Sequence, residues 1–99
     1  MKQYFLEKLS DINYKMSIHE DNTSRRLASQ AIKIYLLSPS EVPSLYRKEF
    51  LKLKDIVEDT IKNLSAPGLT PTRLRGIGNI TAAKYIKLLI DIEYILRDE

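Results

Sequence analysis

The chain has 99 residues, of which 43% are hydrophobic and 29% are charged, and its formal net charge is +3. This length and composition exclude wholesale disorder and predict a single domain over residues 1–99. The absence of cysteine excludes disulfides and thiolate metal sites and favours a cytoplasmic location, and no apolar run is long enough to cross a membrane.

Four segments show helical periodicity and predict helices over residues 2–17, 23–37, 44–64 and 79–97. Asp21, Asn22 or Thr23 is expected to cap the second helix, and Pro39 and Pro43 separate it from the third. No segment alternates between polar and apolar residues as a half-buried strand does. The sequence therefore predicts an all-α fold, a small bundle of about four helices with a short helical turn or hairpin near residues 70–78.

The last predicted helix is apolar around most of its circumference. Lys84, Lys87 and Asp91 recur at steps of three and four residues, so they form one narrow polar stripe. Such a helix lies either at the centre of a bundle or in a homodimer interface. Glu93 falls on the apolar side, where it either pairs with an arginine or tyrosine of the same chain or contacts a partner.

The stretch RLRGIGNITAAK, residues 73–84, contains two of the three glycines, and five basic but no acidic residues lie between Asp59 and Asp91. Gly76 and Gly78 can adopt positive φ, and Ile77 between them is expected to point inward. The free amides at the start of the last helix would then face outward and offer an anion site. The alternative interpretation of the glycine pair is a tight turn between two helices.

The pattern Leu74-x-Gly76-Ile77-Gly78-x-x-Thr81-Ala82-x-Lys84-x-Ile86 resembles a single helix-hairpin-helix DNA-binding motif, over residues 69–88 only. Members of that family bind DNA without sequence preference, because hairpin amides and nearby basic residues grip the phosphates of one strand. The resemblance implies that the hairpin is formed by Gly76, Ile77 and Gly78, and that Lys84 contacts phosphate. It also implies a first helix of about one turn at residues 71–74, packed near Ala82 of the second.

The first functional interpretation is a small accessory protein that binds DNA or another nucleic acid without sequence preference. Its predicted contacts with the phosphate backbone are Arg73, Arg75, Gly76, Ile77, Gly78, Asn79, Thr81, Lys84 and Lys87. Basic residues also begin the second and third helices, where the helix dipole disfavours them. These residues are candidates to extend the same surface: Arg25, Arg26, Arg47 and Lys48.

The second interpretation is a helical interaction module of the immunity, antitoxin, inhibitor or adaptor type, which binds an unidentified protein and no nucleic acid. Tyrosine is favoured in protein interfaces, and the predicted interface residues are Tyr85, Glu93 and Tyr94.

The orientation of Arg75 separates the two interpretations. Convergence of Arg75 with Arg73 and Lys84 on one exposed face favours nucleic-acid binding. An ion pair that turns Arg75 back towards the chain favours the interaction module, and the candidate partners are Asp55, Asp59 and Glu93.

No catalytic residue, cofactor or metal site is predicted, and the protein is not expected to be an enzyme. His19 is the only histidine, and it lies in a polar turn with too few ligands of matching kind for a metal. The Gly-x-Gly sequence lacks the preceding strand that a dinucleotide-binding fingerprint requires.

Overall fold

The elements of the bundle are all helical. The structure, a computed structural model, describes residues 2–98. In chain order these residues form α1 (Lys2–Ile18), α2 (Thr23–Ala28), α3 (Ala31–Tyr35), a 3-10 turn (Pro39–Glu41), α4 (Ser44–Lys62) and α5 (Asn79–Arg97). None of the described residues is in a strand, and the small all-α bundle predicted from the sequence is confirmed.

The second predicted helix, residues 23–37, is divided into α2 and α3, so the prediction of one continuous helix there was wrong. The Ser29 hydroxyl donates to the Arg26 carbonyl at 2.6 Å. A continuing α-helix would use that carbonyl for the Gln30 amide, which instead donates to the Leu27 carbonyl three residues back. The Ser29 hydroxyl thus occupies the carbonyl that the Gln30 amide would need, and the helix ends here in a tighter turn.

The last helix, α5, is central in the bundle, because it contacts α1, α2 and α4. Its fully buried side chains lie on one side of the helix, and they are Ala82, Leu89, Ile92 and Leu96. The apolar stripe of α1 is buried against the same core, and it consists of Phe5, Leu9, Ile12 and Met16. The helix α3 packs on α4 and α1 and closes the remaining side.

A polar contact joins α1 to the second half of α5. The buried Asn13 amide donates to the Leu89 carbonyl at 3.0 Å and to Glu93 Oε1 at 2.8 Å. Arg97 donates to Glu93 Oε2 and to the Ser10 hydroxyl, each at 2.8 Å. Burial alone would raise the pKa of Glu93, but the hydrogen bonds from Asn13 and Arg97 outweigh it and hold the pKa below its usual value. Glu93 thus has its partners within the chain.

Glu93→Gln is expected to lower the free energy of unfolding at pH 7 by about 1–2 kcal/mol, because it removes a charge-assisted hydrogen bond pair with Arg97. The lowered pKa means that the ionised Glu93 stabilises the fold fully above its usual value of 4.5. That contribution is lost as the pH falls through the lower, folded-state pKa. Urea denaturation followed by circular dichroism should therefore show a smaller difference between wild type and variant at pH 3 than at pH 7.

The control for this prediction is Glu7→Gln, which neutralises an exposed carboxylate on α1, the helix that also carries Asn13. Little change is expected from the control at either pH. An equal loss of stability at both pH values for Glu93→Gln would contradict an ionised role for Glu93.

Candidate nucleic-acid interface

Residues 63–78, which connect α4 to α5, form turns and bends and contain no helical residue. The short first helix that the resemblance implied at residues 71–74 is therefore not formed, and the predicted hairpin is a turn at Arg75 and Gly76. Pro71 and Leu74 are buried and attach the segment to the core. The Arg75 amide donates to the Thr60 hydroxyl of α4 at 2.9 Å, which fixes the backbone just before Gly76.

The two glycines of the hairpin have different conformations. Gly76 has φ +77°, a left-handed conformation that favours glycine, as predicted. Gly78 has φ −105° and ψ −166°, so it does not adopt the positive φ that a glycine allows. Its backbone is extended because it is the residue that precedes the first turn of α5. A Cβ added at either glycine would meet no atom within 4 Å, so both face open space.

The start of α5 has no side-chain cap. The Ala82 amide donates to the Gly78 carbonyl at 3.0 Å and is the first amide bonded within the helix. No side chain accepts a hydrogen bond in the capping position, and the first turn contains no acidic residue. The amides that precede Ala82 therefore contribute partial positive charge beside the hairpin.

A shallow, open depression of about 420 Å³ lies at the hairpin. Its lining is the continuous run Arg73, Leu74, Arg75, Gly76, Ile77 and Gly78. Ile77 packs partly against the core, so it points inward as predicted. Two arginine side chains and the two glycine backbones thus form one exposed surface.

The basic side chains predicted to contact phosphate differ in how strongly they are bound by other groups of the chain. Arg73 is exposed, and its one hydrogen bond within residues 2–98 is a long one, 3.5 Å, to the Ile77 carbonyl. Arg75 Nη1 lies 3.6 Å from Asp59 Oδ2, and about half of each side chain is exposed. Lys84 is exposed and has no hydrogen bond or ion pair with any residue of the described range. Lys87, two helical turns beyond the hairpin, is paired with Asp91 at 2.7 Å.

Asn79 is engaged within the chain. The Thr23 hydroxyl donates to the Asn79 carbonyl at 2.8 Å, and the Ser24 amide donates to Asn79 Oδ1 at 3.0 Å. These bonds join the start of α2 to the start of α5. Thr81, also predicted as a phosphate contact, is half-buried within the first turn of the helix.

Sequence reasoning missed the contact between Thr23 and Asn79, because the residues are 56 positions apart and Thr23 was considered only as a cap of α2. The cap is Asn22, whose Oδ1 accepts from the Arg25 amide at 3.0 Å. Asp59 and Thr60, which contact Arg75 from α4, also lie outside the predicted phosphate-contact set. Asp59 was among the three candidate ion-pair partners of Arg75, but nothing in the sequence indicated Thr60.

The four basic residues proposed as an extension have separate roles. Arg26 Nε donates to the Met16 carbonyl in the last turn of α1 at 2.8 Å. Arg47 Nη2 donates to the Val42 carbonyl at 2.8 Å. Internal hydrogen bonds therefore account for these two arginines at helix starts, contrary to the expectation from the helix dipole. Arg25 is exposed, 3.8 Å from Asp21, and Lys48 is exposed near the start of α4.

The residues predicted as a protein interface do not lie on one surface. Tyr85 is partly buried on the side facing α4, and burial, assisted by the charge of Glu49, raises the pKa of its phenol. Tyr94 is 68% exposed, and it is about half a helical turn away from Tyr85 around the axis. Ile90, which precedes Tyr94 by one turn, is 50% exposed, so the two are neighbours on an exposed apolar side of α5.

Comparison of the chain with protein-family models, with curated proteins and with solved structures finds no match. Within residues 2–98, no helix has the length and apolar character needed to span a membrane. The same residues contain no group of three or more histidine, cysteine, aspartate or glutamate side chains arranged to hold a metal ion.

The glycine conformations predict different costs of substitution. Gly76→Ala is expected to lower the free energy of unfolding by about 1–2 kcal/mol, because an alanine at φ +77° is strained. Gly78→Ala is expected to be close to neutral, since its φ suits any residue and its Cβ meets no atom. Urea denaturation of the purified variants measures both values.

Gly68→Ala is the matched control, because Gly68 has φ +82° with open space around it and lies outside the hairpin. Its loss of stability should equal that of Gly76→Ala. A large loss for Gly78→Ala would show that the start of α5 is not as open as the geometry indicates.

Proposed function

We propose that this protein binds the phosphate backbone of nucleic acid without sequence preference, as an accessory subunit of a DNA-handling assembly. The observation that carries the proposal is the open depression lined by Arg73, Arg75 and the hairpin glycines beside the uncapped start of α5. Backbone amides at a helix start and arginine side chains are the groups that hold phosphate in proteins. Here both kinds of donor lie next to each other on an exposed surface.

At the hairpin, the phosphate would lie close to the protein backbone. Neither glycine has a side chain, so a phosphate oxygen can reach the amides at the start of α5. Arg73 and Arg75 supply charge from the hairpin, and Lys84 supplies it from one turn along the helix. The exposed pair of Arg75 with Asp59 is weak at 3.6 Å, so a phosphate can compete for the guanidinium. Few phosphates are contacted, which predicts modest affinity with a clear dependence on salt.

Fluorescence anisotropy of labelled DNA, titrated with the protein at low and moderate salt, tests the proposal. Gly78→Ala is expected to reduce affinity by about tenfold or more, because its methyl group holds phosphate away from charge-assisted amide contacts. The double variant Gly76→Ala, Gly78→Ala should bind no better. Gly68→Ala, with the same strain as Gly76→Ala but outside the hairpin, should bind as wild type does.

Two results would contradict phosphate binding at the hairpin. One is a wild-type protein that fails to bind single-stranded or duplex DNA even at low salt. The other is equal loss of binding by Gly68→Ala and Gly78→Ala in folded protein, which would indicate that binding does not depend on the hairpin.

Removing the competing carboxylate should strengthen binding. Asp59→Asn frees Arg75 and is expected to raise DNA affinity by about two- to fivefold, the range of an exposed ion pair. The gain should shrink as salt rises, because the contribution is electrostatic. The same anisotropy titration at several salt concentrations measures it.

Glu7→Gln makes the same change in net charge, and it controls for the long-range effect of charge because Glu7 shares a surface depression with Arg97, at the end of α5 away from the hairpin. A similar gain in both variants would mean that Arg75 makes no particular contact with phosphate. No change in either would be evidence that the cations of the hairpin do not meet DNA.

A second candidate function, a helical protein-interaction module, is favoured by two observations. Arg75 turns towards Asp59 of α4, which is the pairing that the sequence associated with this function. Ile90 and Tyr94 expose apolar surface on α5, which suits either a different protein or a second copy of this chain. This function becomes the better one if wild type binds no DNA in the titration described above.

A further inference from the structure

We propose that the phosphate-binding surface continues from the hairpin onto α2, where Arg25 supplies a further cation. The ligand would then be a strand with at least two successive phosphodiester groups rather than a single phosphate. This inference rests on the proposed function. It states which of the four basic residues considered as an extension belongs to the phosphate-binding surface.

The starts of α2 and α5 are held together by hydrogen bonds. The Thr23 hydroxyl and the Ser24 amide both donate to Asn79, at 2.8 Å to its carbonyl and 3.0 Å to its Oδ1. Arg25 follows Ser24 directly, so its Cα lies within roughly 8 Å of Asn79 Oδ1 by backbone bond lengths. Asn79 is the first residue of α5 and follows Gly78 of the hairpin. Arg25 is therefore next to the start of α5, which directly follows the hairpin.

The orientation of α2 leaves Arg25 on the outside. Ser24, Leu27 and Ala28 are buried against the core, so the short helix is fixed on that side. More than half of the Arg25 side chain is exposed. The acidic groups near it are Asp21, at 3.8 Å, and the exposed Glu20 of the same loop. A pair of this length between exposed side chains is weak, so phosphate can displace it.

The other three basic residues considered as an extension lack this combination. Arg26 and Arg47 already donate hydrogen bonds to backbone carbonyls of the chain. Lys48 is exposed, but it is eleven residues before Asp59 on α4, or about 16 Å along the helix from the residue that contacts Arg75. Arg25 alone among the four is exposed and adjacent to the start of α5.

Two separated groups that bind phosphate favour a ligand with more than one phosphate, such as a nucleic-acid strand. The hairpin and the α5 amides form one proposed site for a phosphate, and Arg25, whose Cα lies within roughly 8 Å of Asn79 Oδ1, supplies a second and separate cation. Each strand of a duplex carries one phosphate charge about every 3.4 Å of the helix axis. Neighbouring phosphates of one strand are therefore available to the hairpin site and to Arg25. Inorganic phosphate can occupy only one position, and it should compete poorly with an oligonucleotide.

The test compares Arg25→Gln with Lys48→Gln, each of which removes one positive charge. Affinity for a labelled single strand and for the matching duplex is measured by anisotropy across a series of salt concentrations. Arg25→Gln should reduce the slope of log affinity against log salt by about 0.7 for the single strand or 0.9 for the duplex. Lys48→Gln should leave the slope unchanged, and Arg25→Lys should restore it because the charge is kept.

The outcomes separate this inference from the proposed function. If wild type binds, the hairpin glycine variant loses binding, and Arg25→Gln keeps the wild-type slope, then the extension onto α2 is wrong and the hairpin site stands. If inorganic phosphate competes as well as an oligonucleotide does, a site for two phosphates is also wrong. If wild type binds no DNA, both proposals fail. Circular dichroism of Arg25→Lys and Arg25→Gln confirms that the compared proteins are folded.

Discussion

The burial of α5 against three other helices is the constraint on which the rest of the structure depends. Its apolar side can be removed from water only if α1, α2 and α4 all pack on it. This arrangement brings the beginning of α5 next to α2. The connection from α4 to α5, residues 63–78, then runs along the surface. The position of the hairpin is therefore a consequence of how the core is closed.

Polar contacts near the two ends of α5 define how that helix is placed. At its start, Asn79 accepts hydrogen bonds from Thr23 and Ser24 of α2. Near its end, Glu93 accepts them from Asn13 of α1 and from Arg97. Apolar packing alone tolerates small shifts between helices, whereas the buried Asn13 amide would be costly to leave without its partners on α5. These bonds therefore favour one alignment of α5 with its neighbours.

The helices were largely predictable from the sequence because their apolar periodicity is strong. The predicted ranges for α1, α4 and α5 agree with the structure to within two residues. The division of the second helix was not predicted, and it coincides with a local hydrogen bond that the Ser29 hydroxyl donates to the Arg26 carbonyl. Periodicity does not report such a local competition.

The candidate site was predictable only in part. Gly76 has the positive φ that its sequence context indicates, and Leu74 is buried as an anchor. The roles of Arg26 and Arg47 could not be anticipated, because each reaches a carbonyl five or ten residues earlier in the chain. The ion pair of Arg75 with Asp59 and the bonds of Asn79 depend on tertiary packing, which a sequence pattern leaves open.

The shortness of α2 affects when the surface around the hairpin is assembled. A helix of six residues is not stable by itself in water, so α2 depends on its contact with α5. That contact joins residues 56 positions apart, and closing so long a loop has an entropic cost that local helices avoid. During synthesis, α1 and α4 can therefore form before this surface exists. The nascent chain acquires it only after α5 has left the ribosome.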